Sequence, residues 1–166
     1  MVGLHLKPIC LHGKALKAGY RQRQSCKKRG IHISNILCPG CGYEQDTVEH
    51  ILIPCLMSKT LWWMVGAWLG VKDLHSYSTM ADILYFSWKL DISKKKKKAV
   101  NCIVIVTLWI IWSRRNEKVF KVVQCSNAIR LEQVSEYTLL WMKVIANMEN
   151  LVIEKWYTSG ANVIEK

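Results

Sequence analysis

Three cysteines and one histidine occur within CPGCGYEQDTVEHILIPC, the stretch from Cys38 to Cys55. Cys38 and Cys41 have CxxC spacing, and their two sulfurs can reach one ion if the intervening Pro–Gly pair makes a tight turn. His50 follows after eight residues and Cys55 after four more. Three thiolates and one imidazole complete the tetrahedron that zinc prefers. The spacing therefore predicts one zinc ion bound by Cys38, Cys41, His50 and Cys55.

The predicted site fills all four zinc positions with protein ligands and leaves none for water or substrate, so we expect a structural ion. Asp46 and Glu49 have capping-box spacing and would begin a short helical turn that presents His50. Cys55 falls at the N-terminal end of the next helix, where the helix dipole favours a thiolate. His32 is close enough to the CxxC pair in sequence to be an alternative ligand.

The motifs of common enzyme classes do not occur in the sequence. It contains no Gly-rich phosphate loop, no GxSxG, no HExxH and no paired carboxylates in a polar setting. Zinc deaminases need a Glu two residues after the His and a CxxC downstream of it. Here Leu52 occupies that Glu position and the CxxC comes first. We therefore expect a non-enzymatic protein without a small-molecule substrate.

Positive charge is concentrated in clusters. The chain has 24 Lys and Arg against 12 Asp and Glu, a formal net charge of +12. Such clusters favour polyanions, nucleic acid first and anionic membranes second, and the alternative is simply a soluble basic surface. One cluster of basic residues comprises Arg114, Arg115, Lys118 and Lys121. The candidate nucleic-acid contacts, RNA or DNA without sequence preference, are Arg21, Arg23, Lys27, Lys28, Arg29, Lys94, Lys95, Lys96, Lys97 and Lys98.

Tryptophans near these charges could stack on unpaired bases. Trp62, Trp63 and Trp68 are the candidates, although a tryptophan at helical spacing usually belongs to a core. The seven cysteines have irregular spacing, which argues against a secreted disulfide framework and favours a reducing compartment. We expect an intracellular protein of the nucleus or cytoplasm, in which Cys102 is a small core residue.

Apolar periodicity predicts helices after the cysteine cluster. Leu61, Trp62, Val65, Trp68 and Leu69 form one face of a helix that stops at Gly70. A short helix begun by Ser78 or Thr79 would be lined by Met80, Ile83, Leu84 and Trp88.

The second half of the chain predicts a helical hairpin. Residues 99–112 are apolar nearly all round, and the second helix has a stripe at 3-4 spacing comprising Val134, Tyr137, Trp141, Val144, Met148 and Leu151. A buried core helix is favoured over membrane attachment through residues 94–115, since a span needs about 20 apolar residues. The stripe also leaves open a structural protein whose residues 128–152 contact a protein partner.

The expected fold class is mainly α, with a small zinc-stapled module followed by a helical hairpin. The predicted organisation is a basic, partly ordered arm (1–28), the zinc module (29–75), a short helix with a lysine-rich linker (76–98), the hairpin (99–157) and a tail (158–166).

Three stretches resemble the zinc-binding segment near the C-terminus of plant non-LTR (LINE-type) retrotransposon reverse transcriptases. These are RGI at 29–31, CPGCGYEQDTVEHILIPC at 38–55 and LWWMVGAWLG at 61–70, and LWIIWSRRNEKVF at 108–120 is similar to a stretch that commonly follows. The resemblance implies the same four metal ligands and a nucleic-acid context. EHIL stands where the family usually has an acid and HLF, and the polymerase DD motif and the endonuclease are absent. The resemblance therefore implies a fragment or descendant of a transposon reading frame.

Overall fold

A computed structural model of the protein describes residues 36–71, 73–120 and 126–144. These residues are mainly helical, which confirms the expected fold class. The predicted arm and tail, and the hairpin beyond residue 144, lie outside the described residues. The described elements are α1 (Val48–Leu52), α2 (Leu56–Leu69), a 3-10 turn (Leu74–Ser76), α3 (Met80–Lys89), α4 (Lys94–Phe120) and α5 (Asn127–Val144).

Helix α2 follows its predicted pattern. Leu61, Trp62, Val65 and Leu69 are buried, as the apolar periodicity requires. Gly70 ends the helix in the left-handed region with φ of 68°, where a residue without Cβ has no steric penalty. The predicted stop at Gly70 is confirmed.

Helix α3 begins where the sequence indicates but buries a different face. The Thr79 hydroxyl accepts a hydrogen bond from the Asp82 backbone N–H at 3.1 Å, which confirms the predicted N-cap. Ile83 and Phe86 are buried, whereas Trp88, predicted to line the helix, is 68% exposed. The prediction for Trp88 is wrong because the docked face of α3 runs through Ile83 and Phe86.

Helix α4 begins at Lys94, so the predicted lysine-rich linker over 94–98 is wrong. Ser93 starts the helix: its carbonyl accepts from the Lys97 N–H at 2.9 Å, and its hydroxyl accepts weakly from the Lys96 N–H. Lysine is a good helix former, and the apolar residues that follow dock this helix into the core, which outweighs the unfavourable position of cations at a helix N-terminus.

The apolar part of α4 is a buried core element, as predicted. Ile103, Val104 and Leu108 are at most 1% exposed, and the Thr107 hydroxyl donates to the Ile103 carbonyl at 2.7 Å. Burial also raises the pKa of the Cys102 thiol to about 12. Helix α4 contacts α1, α3 and α5, so it is the central element of the described fold.

Among the described residues, one apolar stretch is long enough to cross a membrane by length and composition, and it is Val48–Leu69 rather than 94–115. Half of its most apolar window is buried within the protein. This stretch is not one continuous helix, because α1 ends at Leu52 and α2 begins at Leu56.

Helix α5 packs on α4 and α2. Val134 and Met142 are buried, and the Tyr137 ring meets the Trp109 ring edge-on with centroids 5.1 Å apart. Arg130 on α5 also pairs with Glu117 on α4. Val134 and Tyr137 of the predicted apolar stripe therefore pack within the chain, and use of the stripe against a protein partner stays a prediction.

Candidate metal centre

The fold brings the four predicted ligands together. The ligand atoms of Cys38, Cys41, His50 and Cys55 all lie within 4.8 Å of one another. Cys38 Sγ and Cys55 Sγ are 3.8 Å apart, and Cys41 Sγ is 3.3 Å from His50 Nε2. A zinc tetrahedron with bonds of about 2.3 Å to sulfur and 2.0 Å to nitrogen has edges of about 3.5–3.8 Å. The Cys38–Cys55 separation matches an edge of such a tetrahedron, and the Cys41–His50 separation is slightly shorter than one.

The loop that carries the first two ligands is a compact hairpin. Leu37 and Gln45 form an antiparallel bridge, and the Cys38 N–H donates to the Glu44 carbonyl at 2.6 Å. Gly42 has a φ of 79° where the loop reverses direction, and a residue with a Cβ would be strained in this left-handed conformation. The Gly40 N–H points at Cys38 Sγ, 3.3 Å away, as expected for a backbone donor to a metal-bound thiolate. These backbone contacts therefore orient Cys38 within the loop.

Gly40 lies against two of the ligand sulfurs. A Cβ added at this position would be 3.1 Å from Cys55 Sγ and 3.3 Å from Cys38 Sγ. We expect Gly40→Ala to weaken zinc affinity on the order of tenfold, the low end of the effect of disturbing groups around a metal site. A competition titration against a chromophoric chelator measures this change.

The matched control for Gly40→Ala is Tyr43→Ala in the same loop, because the Tyr43 side chain is 84% exposed. It should retain the affinity of the parent protein. If Gly40→Ala also retained full affinity, the loop would have to open freely around the sulfurs, contrary to the close packing of Gly40 on them.

Helix α1 presents His50, but its cap is not the one that the sequence suggested. Thr47 is the N-cap, and its hydroxyl accepts a hydrogen bond from the His50 N–H at 3.2 Å. The predicted capping box of Asp46 and Glu49 is therefore wrong. It was one residue out of register because the Asp46 carboxylate pairs with Arg115 of α4 instead.

Cys55 lies at the N-terminus of α2, as predicted, and its thiol differs electrostatically from that of Cys38. The hydrogen bond with Cys38, helped by the backbone N–H groups of Met57 and Ser58, lowers the pKa of Cys55 to about 7. The same bond, together with burial, raises the pKa of the Cys38 thiol well above its ordinary value. Metal binding requires deprotonated thiols, so a divalent cation would replace the hydrogen bond between the two sulfurs.

A small cavity lies beside two of the four cluster residues. The space beside the two buried cysteines is a cavity of about 20 Å³, enough for about one water. Arg114 and Lys118 also line this cavity. Three thiolates around a divalent cation leave one net negative charge, and these two cations lie where they can offset it.

A buried ion pair fastens this metal centre to α4. Arg115 forms two hydrogen bonds to the Asp46 carboxylate, one from each of two guanidinium nitrogens, and the side chains are 4% and 1% exposed. The Arg115 guanidinium also lies 5.5 Å from the centre of the Trp112 ring. This pair could not be predicted from local sequence because its members are 69 residues apart. The only local indication is Asp46 itself, an acidic residue that does not cap α1.

Residues of α2 complete the support of α1. The Trp62 ring nitrogen donates to the Leu52 carbonyl at 2.9 Å, and the Ser58 hydroxyl donates to the Ile51 carbonyl. Trp62 is only 1% exposed, so it cannot stack on a base, and that candidate contact is wrong. Trp63 is 58% exposed and Trp68 is half-buried.

The predicted basic contacts differ in where the fold places them. Lys94–Lys98 form the first turns of α4, with Lys94, Lys95 and Lys98 exposed. In the cluster that contains Arg114 and Arg115, Arg115 is buried and Arg114 donates to Asn127 Oδ1 at 2.7 Å. Arg21, Arg23, Lys27, Lys28, Arg29 and the alternative ligand His32 lie outside the described residues, as does Lys121.

The fold and the site together define a mainly helical protein with a Cys₃His cluster able to bind one metal ion. No family model, no curated protein and no solved structure matches this chain. The assignment of the ligands therefore rests on the geometry of the four side chains.

Proposed function

We propose that this protein is a non-enzymatic, zinc-stapled module that binds nucleic acid through its lysine-rich helix start. The observation that carries the proposal is the pairing of a closed four-ligand cluster with Lys94–Lys98 on the first turns of a well-packed helix. The metal-bound cluster would stabilise the fold, and the lysines would contact phosphates of the nucleic acid.

The donor set favours zinc over other biological cations. Three sulfurs and one imidazole nitrogen, all within 4.8 Å of one another, suit Zn²⁺, whereas Mg²⁺ and Ca²⁺ prefer oxygen ligands. When bound, the ion would supply a fixed cross-link between the 38–41 loop, α1 and α2. The thiolates also require a reducing compartment, which agrees with an intracellular location.

A catalytic role is disfavoured by the same geometry. All four positions of a tetrahedral ion would be occupied by protein, so no position remains to activate water. The adjacent cavity of about 20 Å³ would hold at most about one water. The site therefore suits a structural ion.

The lysines of α4 are available to a polyanion. None of Lys94–Lys98 forms an ion pair with a carboxylate in the described part of the chain. Their charges are held close together by the helix, and binding would release counterions condensed on the nucleic acid. The attraction is independent of sequence and should weaken steeply with salt.

We also propose descent from a plant LINE-type reverse transcriptase. The two stretches that carry the resemblance, 38–55 and 108–120, contact each other through the Asp46–Arg115 pair and through the packing of α1 on α4. Descent of both stretches from one reading frame would account for the pairing of Asp46 with Arg115, which lie 69 residues apart in the sequence.

Nucleic-acid binding is tested by fluorescence anisotropy of labelled RNA and DNA with the zinc-loaded full chain. We expect binding at low salt that weakens as salt rises, and a smaller salt slope in Lys94→Gln/Lys95→Gln. Each lysine that no longer neutralises a phosphate of a single strand lowers that slope by about 0.7. Lys59→Gln/Lys143→Gln removes the same charge elsewhere and should leave the slope unchanged. Absence of binding at low salt would rule the proposal out.

A further inference from the structure

Helix α3 turns two large aromatic side chains toward solvent. Tyr85 is 64% exposed and Trp88 is 68% exposed. Residues three apart lie on the same side of a helix, with Cβ atoms about 5–6 Å from each other. The opposite face of α3, including Ile83 and Phe86, is buried, so the packing of the helix fixes which way the two rings point. Because both rings stay in contact with solvent, they contribute little to the stability of the fold.

The lysine run begins close to the end of α3 that carries Trp88. Lys97 Nζ donates to the Trp88 carbonyl at 3.3 Å, which brings the first turn of α4 against the end of α3. Helices α3 and α4 also pack on each other. We call the surface formed by Tyr85, Trp88 and Lys94–Lys98 the aromatic–lysine corner.

The charge of this part of the chain is strongly positive. Residues 79–98 contain six lysines and two aspartates. Asp82 accepts a hydrogen bond from the Thr79 hydroxyl at 2.6 Å and lies 3.7 Å from Lys89 Nζ, so its charge is already compensated. Asp91 is the other acid. A ligand of the aromatic–lysine corner must therefore be anionic and must also offer flat apolar surfaces.

We propose that the aromatic–lysine corner is a binding site for single-stranded nucleic acid, an inference that rests on the proposed nucleic-acid function and locates it. Unpaired bases have free π-faces that stack on tyrosine and tryptophan, while the phosphates between them meet lysines. In a duplex the base faces are already stacked, so the two rings would have no partner. The proposed site therefore distinguishes single strands from duplexes without distinguishing sequences.

An anionic membrane surface fits the corner less well. Interfacial helices bury a continuous apolar face in the lipid. On α3 the exposed large hydrophobic side chains are Tyr85 and Trp88, and the neighbouring Leu84 is half-buried in the protein. Two aromatic rings suit base stacking better than insertion into lipid, which needs a broader apolar face.

The test compares zinc-loaded full-length variants by anisotropy with a labelled oligo(dT) or oligo(U) and with a duplex of equal length. Trp88→Ala and Tyr85→Ala should each weaken single-strand binding at least about fivefold, since one stacked base contributes about 1–3 kcal/mol. Duplex binding and the salt slope should not change. Trp88→Phe keeps a ring and should recover most of the affinity.

Trp63→Ala is the matched control, because Trp63 is 58% exposed on a different helix. It should bind like the parent protein, and an equal loss in Trp63→Ala would overturn the assignment to the corner. If the parent protein bound nucleic acid but Trp88→Ala and Tyr85→Ala bound equally well, the corner would be refuted and the proposed function would stand. Absence of all binding at low salt would refute both. Trp88-dependent binding to phosphatidylserine vesicles without oligonucleotide binding would refute both in favour of a membrane surface.

Discussion

Removal of the metal by a chelator is expected to unfold the region from Cys38 to Cys55 while α4 and α5 stay helical. Structural zinc supplies on the order of 10 kcal/mol of folding free energy in small modules. The 38–45 loop has one isolated bridge, and α1 has five residues, too few to persist alone. Helices α4 and α5 bury Ile103, Val104 and Val134 independently of the cluster. Hydrogen exchange resolved by peptide should show reduced protection in 38–55 and retained protection in 99–115.

The same prediction can be tested with the substitution Cys41→Ser, which removes one proposed ligand without removing a buried side chain. It should abolish stoichiometric zinc and reproduce the exchange pattern of the chelated protein. Cys102→Ser is the control, since Cys102 is a cysteine of α4 outside the cluster. A full zinc equivalent in purified Cys41→Ser, measured by elemental analysis, would refute the ligand assignment.

Replacement of Arg115 by alanine is expected to lower the free energy of unfolding by about 3–5 kcal/mol, because it removes one partner of a buried ion pair. The Asp46 carboxylate is 1% exposed and would no longer have the charge that compensates its removal from water. The variant also removes the cation that lies beside the Trp112 ring. Urea denaturation of zinc-loaded protein, followed by far-UV circular dichroism, measures the difference.

Arg114→Ala provides the comparison, because it changes the same residue type one position away. Arg114 is half-buried and donates to Asn127, so we expect a loss of about 1.5 kcal/mol. Asp46→Leu/Arg115→Met should be milder than either single change, since replacing a buried pair by apolar groups is often neutral. Additive losses in that double variant would mean that the two residues do not stabilise each other.

Much of the metal centre could be predicted from local sequence. CxxC spacing, a following histidine and a third cysteine identify four ligands without knowledge of distant residues, because the loop and α1 span only the 38–55 stretch. The same holds for the stop of α2 at Gly70 and the cap of α3 at Thr79, since both depend on neighbours within one helical turn.

Exposure of the aromatic residues was less predictable. Trp62 and Trp63 are adjacent in sequence, yet one is 1% exposed and the other 58%. Trp88 fits a helical apolar pattern and is nevertheless on the outside of α3. Periodicity indicates that a helix has an apolar face, but which of several apolar residues is covered depends on the element that packs against it.

Residue types at short spacing are sufficient to predict the Cys₃His cluster, the helical class and the basic character of this protein. The pairing of Asp46 with Arg115, the start of α4 at Lys94 and the exposure of Tyr85 and Trp88 depend instead on how the helices pack. These features join residues of separate elements or depend on docking in the core. The free energy that stabilises these features comes from burial and charge pairing between distant parts of the chain, so a local sequence pattern cannot predict them.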